Sequence, residues 1–176
     1  MIKTYKTVGI VLNQKNFSEA DRLLTIFTRD FGRLRLLAKS VRKLTSRKRG
    51  HLELFSQVKI VCAKGKSLDL IIEAETINNF SQLRQNLNRV RIAYLLCELV
   101  NDLTGENQEH EDVYNLLLFY LAQLNSASAP KNLIFNFEKS LLELLGFGLP
   151  RTLTQSSLES HISSITEKPL NSKKIR

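Results

Sequence analysis

The hydrophobic period of this chain changes once, near residue 80, and that change constrains the fold more than any other feature. Before it, apolar residues recur at every second position. Val8, Ile10 and Leu12 share one face of a first strand, and Leu24 and Ile26 one face of a second. In a third, Leu34, Leu36 and Ala38 point one way while Arg33, Arg35, Leu37 and Lys39 point the other. Leu52, Leu54, Val58, Ile60 and Cys62 line a fourth strand. Leu68, Leu70, Ile72 and Ala74 line a fifth, with Asp69, Ile71 and Glu73 opposite. Such alternation gives each strand one buried and one wet face.

After residue 80 the apolar residues step by threes and fours. Leu83, Leu87, Val90, Tyr94, Cys97 and Val100 predict one long amphipathic helix. Val113, Leu116, Leu117, Tyr120, Leu121 and Leu124 predict a second, and Ile134, Phe137, Leu141, Leu144 and Leu145 a third that Gly146 and Gly148 stop. Asn125 to Pro130 reads as a linker, and a short helix is expected around Leu158 to Ile165. The predicted fold class is therefore α+β. Five short strands separated by turns at Asp30-Phe31-Gly32 and Lys64-Gly65-Lys66 suit a closed five-stranded OB-fold barrel over residues 1–79. A small all-α helical domain with a short tail is expected over residues 80–176.

Charge divides the same way. Residues 1–80 carry 16 Lys and Arg against 7 Asp and Glu, whereas residues 81–150 carry 5 against 8. The surplus is concentrated in Lys39 to Arg49, where six of eleven residues are cationic and none is acidic. A solvated loop whose charges only aid solubility is the bland interpretation. Two facts favour a polyanion partner instead. Arg33 and Arg35 extend the patch from the loop onto the wet face of the third strand, and a run without acids has no local salt bridges to relieve its repulsion. Arg33, Arg35, Lys39, Arg42, Lys43, Arg47, Lys48 and Arg49 are the candidate phosphate contacts, neutralising the backbone with little regard to sequence. Phe17, Phe27, Phe31 and Phe55 are the barrel aromatics. Phe27 and Phe55 have the opposite parity to the core residues of their strands and are the candidates for base stacking, against the commoner alternative that Phe is core.

Nothing in the chain points to an enzyme. Glu19 and Asp21 make a tight carboxylate pair beside Arg22, which reads as a turn with an Asp–Arg contact. Glu106, Glu109, Glu111 and Asp112 cluster where a helix starts and read as caps. His51, His110 and His161 are scattered, and no phosphate-binding glycine loop or catalytic triad order is present. Cys62 and Cys97 lie in apolar surroundings and read as buried free thiols of a reducing compartment, unable by themselves to hold zinc. The first residues lack the apolar core of a signal peptide, and no run approaches a membrane span. A soluble, intracellular protein that needs neither cofactor nor membrane is expected.

The opening segments Gly9-Ile-Val-Leu12, Phe17-Ser-Glu-Ala-Asp-Arg22, Thr25-Ile-Phe-Thr28 and Gly32-Arg-Leu-Arg-Leu-Leu-Ala-Lys39 resemble those of RecO recombination mediators. Ser46-Arg-Lys-Arg-Gly-His-Leu-Glu-Leu-Phe55, Arg91-Ile-Ala-Tyr-Leu-Leu-Cys-Glu-Leu99, Leu145-Gly-Phe147 with Pro150, and Lys168-Pro-Leu-Asn-Ser-Lys173 resemble later family segments in the same order. The resemblance implies an N-terminal OB-fold, a helical domain, binding of single- and double-stranded DNA and annealing of complementary strands. It also implies RecR and the single-stranded DNA-binding protein SSB as partners, loading of RecA through them, and a bacterial cytoplasmic, nucleoid-associated location. Many relatives carry a four-cysteine zinc module after the Gly-Phe-x-Pro region. Here Leu149 to Thr154 runs on without cysteine, so a short form lacking that module and its zinc is expected. Two alternatives stay open beside it: an RNA-binding OB-fold accessory protein, and an interaction scaffold acting through its helices.

Overall fold

The computed structural model describes residues 3–126 and 131–167. The end of the predicted linker and the Lys168-to-Lys173 segment lie outside them. Five strands, β1 (Thr4–Phe17), β2 (Asp21–Thr28), β3 (Gly32–Ala38), β4 (Gln57–Ala63) and β5 (Asp69–Asn78), come first. They close in the order β1-β2-β3-β5-β4, with β4 returning to β1. All neighbours are antiparallel except β3 and β5, which run parallel through two pairs, Leu36 with Asp69 and Leu37 with Leu70. This is the α+β, OB-fold architecture expected. Val11, Leu24, Ile26, Leu34, Leu36 and Ile60 lead its interior. Each fully buried aliphatic side chain there contributes about 1.5–3 kcal/mol over leaving it in water.

Two bulges alter the expected faces. The β1–β2 register shifts between Val11 and Asn13, so Val11, rather than the expected Ile10 and Leu12, joins the interior cluster. The β4–β5 register shifts between Val61 and Cys62, pairing Cys62 with Ile71 and Val61 with Glu73. Ile72 is the inserted residue and is 46% exposed, whereas Ile71 is 2% exposed in the core. One extra residue reverses every side chain beyond it. Strand β4 also starts later than the alternation suggests: Leu52 and Leu54 precede it in the loop yet pack on the same core.

The barrel is not contiguous in sequence. Residues up to Asn79 group with Glu106–Tyr114 as one compact unit. Glu106 forms an isolated parallel bridge with Arg33, and the Asn107 amide donates to the Arg33 carbonyl at 3.0 Å. Gly32 has φ +64°, and a Cβ there would lie 1.6 Å from the Gln108 carbonyl oxygen. Only glycine permits both the left-handed turn and this approach. At the first residues of β1, the Tyr5 hydroxyl donates to Asp69 Oδ2 at 2.8 Å, and Lys64 Nζ lies 4.7 Å from the Tyr5 ring centroid.

The second unit holds Phe80–Gly105 and residues from Asn115 on. The single helix expected over Leu83 to Val100 is two, α1 (Ser81–Arg84) and α2 (Leu87–Leu103). Asn86 makes the break: its backbone is extended and its side chain accepts the Arg89 amide at 3.2 Å, capping α2. Helix α3 (Glu111–Asn125) contributes its first turn to the barrel unit and the rest to this one. Helix α4 (Leu133–Leu144) ends where the Phe147 amide reaches the Leu142 carbonyl around Gly146 at φ +74°. Helix α5 (Gln155–Thr166) starts from a capping box made by Thr154 and Ser157. Leu96, Val100, Leu117, Leu121, Phe137 and Leu141 are fully buried. No helix among the described residues is long and apolar enough to cross a membrane.

Candidate nucleic-acid interface

Strand register arranges the outer face of β1, β2 and β3 in rows. Phe17 pairs with Asp21; Lys15 with Leu23, which pairs with Leu37; Asn13 with Thr25, which pairs with Arg35; Ile10 with Phe27, which pairs with Arg33. Their side chains alternate with Leu24, Ile26, Leu34 and Leu36 of the core, so they point outward. The face is closed at one end and open at the other. Ile10 and Phe27 are fully buried, and Arg33, half-buried beside them, carries the returning Glu106–Tyr114 segment on its backbone. Arg35 is exposed, with Nε 4.0 Å from Glu106 Oε1. Lys15, Phe17 and Lys39 are exposed at the open end.

The basic run follows from that end. It is a chain of tight turns rather than a free loop: the Lys43, Ser46, Arg49 and His51 amides each donate to the carbonyl three residues back. Val41 and Leu52 are fully buried in the barrel core and anchor it at either side. The Ser40 amide donates to Asp21 Oδ1 at 2.7 Å, the Arg42 amide to the Ala20 carbonyl at 2.9 Å, and the Arg42 guanidinium to the Glu19 carbonyl at 2.9 Å. These bonds stitch the run to the β1–β2 hairpin. They also give Asp21 a role different from the Asp–Arg contact expected of it. Arg22 instead donates to Gln14 Oε1 at 3.0 Å and lies 3.6 Å from Glu53.

Arg42, Lys43, Arg47 and Arg49 are exposed. Lys48 departs from the expectation: it is half-buried and its ammonium donates to the Ile71 carbonyl at 2.8 Å. Desolvation holds its pKa below the usual lysine value. It binds the run to β5, a structural task that a phosphate contact alone does not require.

The two stacking candidates are corrected. Phe27 is 0% and Phe55 is 3% exposed, so neither ring can receive a base. Phe27 points outward as its parity says, but at the closed end of the face. Phe55 precedes β4 with φ +69°, and its amide donates to the Val11 carbonyl at 2.8 Å. A left-handed residue does not continue the strand's alternation, so parity carries no information there. Lys15 is not among the sequence candidates; its pairing with Leu23, which only the structure shows, puts it on the same exposed face. Of the acidic cluster, Glu111 and Asp112 do sit in the first turn of α3, but Glu106 belongs to the barrel contact.

The helical unit has a groove of its own, about 590 Å³, lined by Arg91, Ile92 and Leu95 of α2, by Leu133, Ile134 and Phe135 of α4, and by Glu159 of α5. Cys97 is buried in the same unit, and burial pushes its thiol pKa up.

Residues 1–80 match the family described as Recombination protein O N terminal, and residues 84–152 match Recombination protein O C terminal. The chain belongs to the RecO family. It is 36% identical over 145 residues to a DNA repair protein RecO of Roseiflexus sp. (strain RS-1), an alignment covering 82% of this chain and 51% of that protein. A DNA repair protein RecO of Dehalococcoides mccartyi (strain ATCC BAA-2100 / JCM 16839 / KCTC 5957 / BAV1) is 36% identical over 143 residues, covering 81% of this chain and 56% of the relative. One of Pelotomaculum thermopropionicum is 36% identical over 146 residues, covering 83% and 57% respectively. The chain thus spans about half the length of the curated RecO proteins it matches. The N-terminal match covers β1 to β5, and the C-terminal match covers α2 to α4, so the barrel and the helices each carry one half of the family pattern.

Proposed function

We propose that this RecO-family chain acts in DNA repair and recombination as a DNA-binding mediator. It binds single- and double-stranded DNA, anneals complementary strands and, with RecR, helps to load RecA onto SSB-coated DNA. One observation carries the DNA-binding part: Lys15, Arg35 and Lys39 are exposed on the open part of the barrel face, and Arg42, Lys43, Arg47 and Arg49 are exposed in the run that follows it. Such a surface neutralises phosphates whatever the bases, as a protein acting at any gap or break requires. The role is one of binding and positioning, with no covalent step, in the cytoplasm at the nucleoid.

The helical groove supports an SSB contact. Apolar side chains of α2 and α4 suit the hydrophobic residues of a short peptide, and Arg91 in the same lining, which also holds Glu159, offers a partner for an acidic one. An SSB tail peptide is expected to bind the chain, and Ile92→Asp to abolish that binding while leaving DNA affinity intact.

The decisive experiment is annealing of complementary strands coated with SSB. The chain is expected to accelerate it, and substitution of Arg42, Lys43, Arg47 and Arg49 by Gln to remove the acceleration. Equal affinity for RNA and DNA of the same length, with no annealing, would return the RNA-binding alternative.

A further inference from the structure

We infer that the open end of the β1–β2–β3 face is a single-strand-selective stacking site, with Phe17 as the ring on which a base lies. This rests on the DNA-binding role proposed above and refines it. Phe17 ends β1 and is 49% exposed, facing outward in the same row as Asp21. An aromatic ring half in water on a sheet edge is a surface that a nucleobase can cover.

Its neighbours supply the phosphate contacts a stacked base needs. Lys15 lies two residues back on the same strand and face, about 6.8 Å away along the strand. Beyond the ring, the hairpin tip at Glu19 and Ala20 holds Arg42 through two bonds to its carbonyls, and Asp21 holds the Ser40 amide beside Lys39. These bonds tether the cations' backbone to the hairpin that presents the ring. Lys15 on one side and Lys39, Arg42 and Lys43 on the other give a polyanion a path past Phe17. Leu23 and Leu37, half-buried in the same cross-strand row as Lys15, continue an apolar floor for further bases.

The chemistry separates single strands from duplex. Phosphates are available on both, and cations bind both. Base faces are free only when unpaired, so the ring adds affinity for single strands alone. A mediator with such a site favours gaps over intact duplex without reading sequence.

The chain contains no tryptophan, which makes the test direct. Phe17→Trp introduces a sole indole, whose fluorescence is expected to be quenched by oligo-dT and unaffected by a blunt duplex of equal length. Phe17→Ala is expected to lower affinity for oligo-dT about five-fold or more. It leaves duplex affinity and the salt dependence of binding as in the parent, because no charge is removed. The ring is exposed, so its loss leaves folding intact, checked by an unchanged thermal midpoint. Parent and Phe17→Ala chains binding oligo-dT equally would overturn the stacking site and leave the DNA-binding role standing. So would an equal loss on oligo-dT and duplex. A parent chain that binds neither nucleic acid would overturn both.

Discussion

At the residue scale, single atoms decide positions where the chain has no choice. Gly32 is one: its left-handed φ and the Gln108 carbonyl in the place of its absent Cβ act together. Gly32→Ala is expected to destabilise the barrel by about 2 kcal/mol or more in urea unfolding, from strain and clash. Gly50→Ala, where a Cβ meets nothing within 4 Å, should stay within about 0.5 kcal/mol of the parent. Cys62 is another. Burial pushes its thiol pKa up to about 11, and burial with the Asp69 bond pushes the Tyr5 hydroxyl higher than its usual value. Both folded groups hold their protons where the unfolded chain releases them. The Cys62 contribution to stability is therefore complete below the ordinary thiol value and is lost as pH rises through about 11, whereas that of Tyr5 starts to fall only above the ordinary phenol value and goes on falling beyond that point. Urea midpoints should fall between pH 8 and 11, and fall less in Cys62→Val; identical slopes in parent and variant would refute the assignment. Chemistry of this kind was legible for the cysteines, because an apolar run around a thiol means burial. It was not legible for Phe27, since alternation tells which face a ring is on and not whether that face is covered. Nor was it legible for Lys48, since a cation in a basic run gives no sign of the carbonyl that captures it.

At the scale of elements, strands were readable and their irregularities were not. Period two located all five strands and the third in full phase, with Arg35 outside and Leu36 inside. It misplaced β5 because the bulge opposite Val61 and Cys62 inserts Ile72, and Ile71 and Ile72 are chemically the same. Exposure separates them. Ile72→Lys is expected to leave the thermal midpoint nearly unchanged, whereas Ile71→Lys buries an unpaired ammonium in the barrel and should abolish cooperative unfolding. Equal tolerance at the two sites would refute the bulge. In the helices, apolar spacing ran through Gln85 and Asn86 unbroken, so only the side-chain cap on Arg89 reveals that α1 stops. The basic run was visible as charge, but its turns are not: no periodicity marks a string of three-residue backbone closures pinned by Val41 and Leu52.

Across the whole molecule, charge divides along the sequence and not along the two compact units: Glu106, Glu109, Glu111 and Asp112, half of the acids of residues 81–150, return to the barrel unit. If the exposed loop cations meet phosphate, replacing Arg42, Lys43, Arg47 and Arg49 by Gln should reduce the salt slope of DNA binding by about 3, at roughly 0.7–0.9 per contact. A slope unchanged within error would place the contacts elsewhere. Lys48 is left out of that set because its loss would disturb the fold as well as the charge. The change of period near residue 80 marked the passage from strands to helices, since it reports local geometry. It carried no sign of the return to the barrel at Glu106, because that contact is made by backbone, at Arg33, Asn107 and the space beside Gly32.

That return has a consequence for biosynthesis. The last piece of the barrel unit is made after twenty-six residues of helical sequence, Phe80–Gly105, have been added to the growing chain. At translation rates of roughly 5–20 residues per second, the ribosome holds an unfinished barrel for about 1–5 s. During that interval the edge of β3 around Arg33 lacks its partner and stands open to other nascent strands or to a chaperone. The N-terminal module of this chain therefore cannot complete itself first, even though its strands are synthesised first.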